Sequence, residues 1–225
     1  MGKNLIISPT GLNTYAYDWI KESPEFDITL LCHVEDDEYC NKLSQTFDVV
    51  RINYDKWKKI KTYLKENPRI IEQYENFWFP DDDIKIDTKS INELFDIHSK
   101  NNLSLSQPAI IGYISHNIVK PQPNLLRYVS FVEIMCPMMS RDCLKLLIET
   151  FDLSESGWGL DILWGKLLEY KNMAIIDKII AEHTRPIGIN YEGRFSKHPM
   201  QELNELMQIH SLNIIMHEYG TKKIT

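Results

Sequence analysis

Glycine is scarce, 9 residues in 225, and none of it forms a Gly-x-Gly-x-x-Gly or Walker sequence. That excludes a Rossmann dinucleotide site and a P-loop, both of which need glycines where backbone must approach phosphate. No run approaches the ~20 apolar residues of a membrane span. The opening Met1 to Ser8 has only a brief apolar stretch, too short for a signal-peptide core, so a cytoplasmic location is expected. Positive charge is not in excess: 25 Lys and Arg face 32 Asp and Glu, a net charge of −7. This argues against nucleic acid or an anionic membrane as the main partner, but not against an anion held through a metal. The four cysteines, Cys32, Cys40, Cys136 and Cys143, lack the close pairing of a metal site, and each adjoins an apolar run. They read as buried free thiols. No internal repeat or low-complexity linker divides the chain, and its length suits one large domain or two small ones with a real core.

What is present is concentrated. Tyr74 to Trp78 and Phe79 form an aromatic run that ends at Pro80 in three carboxylates, Asp81, Asp82 and Asp83. The run has the composition of a buried strand, and Pro80, which cannot donate to a ladder, marks its exit. Adjacent carboxylates repel unless positive charge sits among them. Hard oxygen ligands suit Mg²⁺ or Mn²⁺, and Mg²⁺ commonly shares its shell with phosphate. Ligands of open α/β sheets bind just past the carboxyl ends of strands. The stretch therefore proposes a divalent ion meeting a phosphorylated ligand; a solvated acidic turn is the plain alternative.

The rest of the first half alternates strand and helix. Strands are expected at Leu5 to Ile7, broken by Ser8-Pro9-Thr10-Gly11, at Phe26 to Cys32 and at Phe47 to Ile52. Helices are expected at Leu12 to Lys21, at Lys56 to Lys65 behind an Asp55 cap, and after Asp87 or Thr88, where Ile91, Leu94, Phe95 and His98 share a face. Glu35 to Glu38 reads as an acidic loop. This rhythm argues for an α/β fold with a mixed, mostly parallel central sheet flanked by helices. Further strands are expected at Ala109 to Ile114, Tyr128 to Met135, Met173 to Ile176 and Ile179 to Ala181, with Asp177 in the turn between the last two. Ser140 caps a helix from Arg141 to Phe151, another runs through Leu163 to Leu168, and a last one starts at Pro199 with Met200, Leu203, Leu206 and Met207 inward. Lys222 to Thr225 is expected to fray.

A second carboxylate centre lies at Gly157-Trp158-Gly159-Leu160-Asp161. Flanking glycines let backbone approach a ligand, and Trp158 offers a flat face for a sugar or base. Asp161 alone reads equally as a first-turn residue complementing a helix dipole, with Trp158 in the core. His183 is the one histidine with a suggestive neighbour, because extended backbone places Arg185 on its face. An imidazole for a metal and a guanidinium for phosphate make a sensible pair. His33, His98, His116, His198, His210 and His217 read as structural or surface residues.

Taken in order, Phe79 to Asp83, Gln107-Pro108, Phe131 to Pro137, Ser156 to Asp161 and His183 to Pro186 resemble a family of glycosyltransferase-like proteins of unknown function found in bacteria and plants. The resemblance covers roughly Lys3 to Gly188 and implies one GT-A-type domain. Residues 1–100 would form a nucleotide-binding half, 101–190 an acceptor and catalytic half, and 191–225 a helical extension. It also implies roles. Asp81 and Asp83 match an Asp-x-Asp element holding Mn²⁺ or Mg²⁺ and the diphosphate of a nucleotide sugar. Asp83 would be the direct ligand, and Asp81 or Asp82 would take ribose or a metal-bound water. His183 would complete the metal shell, while Pro9, Thr10 and the loop after the second strand would cradle base and ribose. Trp158 and Gly159 match an acceptor-side loop and Asp161 the catalytic base, although this chain has Leu160-Asp161 where such enzymes carry an acidic pair. The expected activity is sugar transfer from a nucleotide-diphosphate sugar to a hydroxyl, with inversion. A metal-dependent nucleotidyltransferase and a non-catalytic carbohydrate-binding protein are the alternatives.

Overall fold

The computed structural model describes residues 3–188 and 193–224. The expected boundary between residues 190 and 191 lies outside them. Period-2 alternation builds the centre: Leu5 and Ile7 of strand β1 (Asn4–Thr10) pack into one apolar cluster and Ile6 into the other. Parallel pairing joins β1 to β2 (Asp27–Cys32) and to β4 (Asn76–Trp78), and β2 to β3 (Asp48–Arg51). β6 (Leu105–Gly112) and β9 (Met173–His183) are also parallel. Antiparallel pairings of β7 (Leu126–Val129), β8 (Met138–Ser140) and β10 (Glu218–Lys222) complete a mixed sheet in the order β10-β7-β9-β6-β8-β4-β1-β2-β3. The short β5 (Ile84–Lys85) stands off this path, antiparallel to β9.

Helices cover both faces. α1 (Asp37–Ser44) and α4 (Thr88–Lys100) bury Cys40, Leu43, Ile91, Leu94 and Phe95 on one side. α2 (Lys56–Glu66), α5 (Arg141–Leu147), α6 (Leu160–Leu167) and α7 (Pro199–Ile209) bury Trp57, Ile60, Leu144, Trp164 and Leu206 on the other. A short helix, α3 (Arg69–Gln73), precedes β4.

Several local expectations are corrected. β1 does not break at Ser8 but continues through Pro9, opposite Leu31, to Thr10. Residues 12–21 form no long helix: Asn13 adopts φ 66°, Tyr15 N–H donates to the Asp82 carbonyl at 2.8 Å, and only Asp18–Ile20 makes a 3-10 turn. The acidic loop at 35–38 instead starts α1, because Asp36 accepts from Tyr39 N–H at 3.1 Å and acids suit a helix N-terminus. Asp55 precedes α2 without a side-chain cap bond. β7 stops at Val129, so most of 128–135 is not strand. Residues 173–183 form one strand rather than two, with a register shift opposite Pro108 and Ala109. Met200 is exposed and Glu202 buried on α7. The tail does not fray at Lys222, which ends β10.

Asp177 consequently lies inside the sheet rather than in a turn. Its carboxylate accepts from Arg127 Nε at 2.9 Å, and both side chains are fully buried. Arg127 also donates to the Ile118 and Lys120 carbonyls at 2.9 and 2.8 Å and to Glu218 of β10. A buried guanidinium stripped of its carboxylate is costly. Asp177→Ala should therefore lose about 3–5 kcal/mol of unfolding free energy, read as a lower urea midpoint at unchanged slope.

Candidate functional site

The parallel strands β1 and β4 end side by side. Thr10-Gly11 and Pro80 to Asp83 thus meet at their carboxyl ends, where Ser8 Oγ donates to the Pro80 carbonyl at 2.9 Å. Each aspartate then finds its own counter-charge. Asp81 Oδ1 lies 2.7 Å from Lys56 Nζ. Asp82 Oδ2 accepts from Gly11 N–H at 2.7 Å, and its other oxygen pairs with Arg185. Asp83 Oδ2 lies 3.0 Å from His183 Nε2 and 3.1 Å from Arg185 Nε.

The meeting of Asp83 and His183 across a hundred residues follows from strand register. β5 pairs Ile84 with His183, and Thr184 N–H and Oγ1–H donate to the Asp83 carbonyl at 3.2 and 2.9 Å. On the other flank Gly112 pairs with His183 at φ +83°, and a Cβ there would sit 2.4 Å from the His183 carbonyl oxygen. Only glycine tolerates that approach. The carbonyl of Tyr113, 2.7 Å from His183 Nδ1, can only accept, so Nδ1 carries a proton. Nε2 faces the Asp83 carboxylate, which favours a proton there as well. Burial opposes that charge, but the bond to Asp83 outweighs it and raises the His183 pKa. Burial likewise opposes ionisation of Asp83, yet His183 and then Arg185 hold it below the usual carboxylate range.

A divalent ion fits this geometry in one specific respect. Asp83 Oδ1 is buried and has no hydrogen-bond partner, an arrangement that ordinarily signals a missing ligand. Loss of the Nε2 proton would free a second donor, with Nδ1–H still anchored on Tyr113. Among the described residues no three His, Cys, Asp or Glu side chains gather around one point. The protein would thus supply an oxygen and a nitrogen, and water or phosphate the rest, as is usual for Mg²⁺. Asp81 is engaged by Lys56 rather than by His183. Arg185, expected to face phosphate, is held by Asp82 and Asp83. Thr10 is fully buried, its hydroxyl donating to the Ser8 carbonyl at 3.3 Å, and Pro9 lies within β1.

The second centre contains more than Asp161. Residues 131–137 are strapped to the aspartate loop: Asp81 N–H donates to the Met135 carbonyl at 2.9 Å, and Lys56 Nζ to Ile134 and Met135 carbonyls at 2.8 Å each. Glu133, buried in this strap, donates its N–H to Gln107 Oε1 at 2.6 Å. Its Oε1 lies 3.5 Å from His116 Nδ1 and its Oε2 has no partner. Asp161 Oδ1 accepts from Ile162 N–H at 2.9 Å. Burial, then the charge of Glu133, lifts the Asp161 carboxyl to about 7, against the opposing pull of His116. Glu133 and the His116 pairing were missed in the sequence, although Glu133 is the single charge in the apolar run 131–136. The glycines around Trp158 serve the fold: a Cβ on Gly157 would come within 2.8 Å of Trp57, and one on Gly159 within 3.2 Å of Leu203 and Leu206.

His33, read as structural or surface, stands exposed at the end of β2. The buried Lys59 donates to its Nδ1 at 3.1 Å and to the Leu31 carbonyl at 3.3 Å. Burial and then Lys59 lower the His33 pKa to about 4, so the ring is neutral with its proton on Nε2.

No family model matches the sequence, and no curated protein matches it. Solved structures do resemble the fold. S. aureus TarS 1–349 in complex with UDP-GlcNAc matches at a TM-score of 0.57 and 13% identity, over 92% of this chain and 65% of that one. GalNAc-T7 with UDP, GalNAc and Mn²⁺ matches at 0.64 and 10%, over 92% and 48%. TarS with UDP matches at 0.54 and 14%, over 92% and 71%. The chain therefore spans about half to two thirds of the length of the first two, and has the GT-A glycosyltransferase fold.

The Asp161 shift has a sign that can be tested. Its folded pKa, about 7, exceeds the unfolded value of ~3.9, so the stability tied to its protonated form is complete below pH ~4 and lost as pH rises through about 7. The loss is on the order of 4 kcal/mol. Urea unfolding at pH 4 and pH 8 should show this decline in the natural protein and a much smaller one in Asp161→Asn.

Proposed function

We propose that the protein is a metal-dependent glycosyltransferase that moves a sugar from a nucleotide-diphosphate sugar to an acceptor hydroxyl. The observation carrying this reading is the partnerless buried oxygen of Asp83 beside His183, at the carboxyl ends of β1 and β4. The GT-A fold supports it, since ligands of open α/β sheets collect at that edge. One fold hosts many activities, so the site must carry the argument.

Asp83 and His183 would hold Mn²⁺ or Mg²⁺, which when bound neutralises negative charge on a diphosphate leaving group. The chain does the rest. Arg185, its guanidinium half-exposed on Asp82 and Asp83, adds positive charge at the diphosphate and keeps the two carboxylates from repelling each other. Asp82, anchored by Gly11 N–H, and Asp81 on Lys56 fix the loop that meets ribose. The end of β1 at Pro9 and Thr10 would back the base side, with His33 exposed beside it. The imidazole of His33, locked by Lys59, offers an Nε2–H donor there.

Trp158 and Gly159 form the acceptor side. Asp161 accepts the proton of the acceptor hydroxyl as that oxygen attacks the anomeric carbon from the face opposite the leaving diphosphate, which inverts configuration. A proton affinity near neutrality suits a general base. Glu133 maintains it by repulsion and His116 moderates it. Residues 1–225 would form one GT-A-type domain, with donor and acceptor sides carried on one sheet.

Thermal shift with UDP, GDP, CDP and TDP, each with and without Mn²⁺, tests the donor half. At ~100 times its dissociation constant a ligand adds ~2.7 kcal/mol. One nucleotide should raise Tm only with metal, and Asp83→Asn should abolish that rise. Asp161→Asn should preserve nucleotide binding and lower transfer by at least ~100-fold, the low end for general-base loss. Undiminished transfer in Asp161→Asn would remove the base assignment. Sugar binding indifferent to chelator and nucleotide would favour a non-catalytic binding protein.

A further inference from the structure

A dense polar cluster outside the aspartate loop sits on α7, beyond the part of the chain that carries the resemblance. Glu202 is buried at 7% exposure, and its carboxylate collects four donors from one short segment. Glu155 N–H donates to Oε1 at 2.8 Å, while Ser156 N–H at 3.0 Å, Ser154 Oγ at 3.1 Å and Ser156 Oγ donate to Oε2. A carboxylate has about four acceptor sites, so its capacity is used on this loop alone. A buried charge is tolerated only when it is so satisfied.

The clamp reaches the acceptor side directly. Ser156 Oγ, held by Glu202, accepts in turn from Trp158 N–H at 3.3 Å. Leu203 and Leu206, on the turns of α7 following Glu202, close against Gly159. Gly159 is the N-cap of α6, whose second residue is Asp161. Ser196 N–H adds a bond to Glu155 Oε2 at 2.7 Å from the segment leading into α7. Each end of the Ser156 to Gly159 turn is thereby set by α7 rather than by the sheet.

We propose that Glu202 is the positioning residue of the acceptor side: through Ser156 it fixes the turn that carries Trp158 and sets the start of α6 at Asp161. This rests on the reading of Trp158 and Asp161 as acceptor-side groups. Neutralising Glu202 leaves one carbonyl oxygen for four donors and turns an amide N–H₂ toward them, so the turn loosens while the donor side, built on β1, β4 and β5, does not.

The test is amide hydrogen exchange on the full chain as Glu202→Gln, with Ser156→Ala as a milder second variant that keeps the carboxylate. Exchange over residues 156–162 should accelerate at least tenfold in Glu202→Gln and less in Ser156→Ala, with β1, β4 and α4 unchanged. The Trp158 indole resonance should shift while those of Trp19 and Trp78 stay. Affinity for UDP with Mn²⁺ should remain within twofold, and Mn²⁺-dependent hydrolysis of UDP-GlcNAc, with water in the acceptor place, should fall about tenfold at unchanged KM. Natural exchange rates over 156–162 in both variants, or acceleration spread evenly over the sheet, would overturn the assignment. Failure of UDP, GDP, CDP and TDP alike to bind the unaltered protein with Mn²⁺ would count against the transferase reading, with the exchange result still deciding the role of Glu202.

Discussion

The candidate site depends on one register. β5 is only two residues long, yet pairing Ile84 with His183 brings a carboxylate from the middle of the chain against an imidazole from much later. The contact is fixed from both flanks, by Thr184 on the Asp83 carbonyl and by Gly112 beneath the His183 backbone. A slip of one residue would turn His183 to the opposite face of the strand. Because the pair is buried, the partner each group faces sets the direction in which its pKa moves.

Three adjacent carboxylates pose a problem of repulsion, and the protein answers it with three separate basic side chains, not one. Lys56 comes from α2, Arg185 from beyond β9 and His183 from β9 itself. The side chains thereby diverge. Asp82 turns toward Gly11, Asp81 toward Lys56 and Asp83 toward His183 with one oxygen left over. That leftover oxygen is what a merely neutralised acidic turn would not have, since an unpaired buried acceptor costs free energy.

The strap at 131–137 links the aspartate loop to the surroundings of Asp161. Its carbonyls accept from Asp81 N–H and from Lys56 Nζ, and it carries Glu133, whose charge raises the Asp161 pKa. Burial and the charge of Glu133 lift the Asp161 carboxyl to about 7, whereas His183 and Arg185 hold Asp83 below the usual carboxylate range. α7 fixes the remaining edge of this arrangement, the turn before Asp161.

Much of this was legible in local chemistry. The alternation of Leu5, Ile6 and Ile7, the caps at Asp87 and Ser140, the exit at Pro80 and the carboxylates beyond it are short-range properties, and residues within a turn or a strand decide them. What local chemistry could not decide was which distant strands would pair. Asn13 to Trp19 carries a helical pattern but is drawn across the aspartate loop by the Asp82 and Ile84 carbonyls. Glu133, His116 and Glu202 looked ordinary because their partners are 17 to 48 residues away. The sequence by itself determined the α/β rhythm and the residue types of the site, since these follow from periodicity and charge. Only the tertiary structure decided that Asp83 would meet His183, that Asp177 would meet Arg127 instead of the site, and that Asp161 would be lifted by a neighbour, because register and burial arise from contacts between segments that no local pattern encodes.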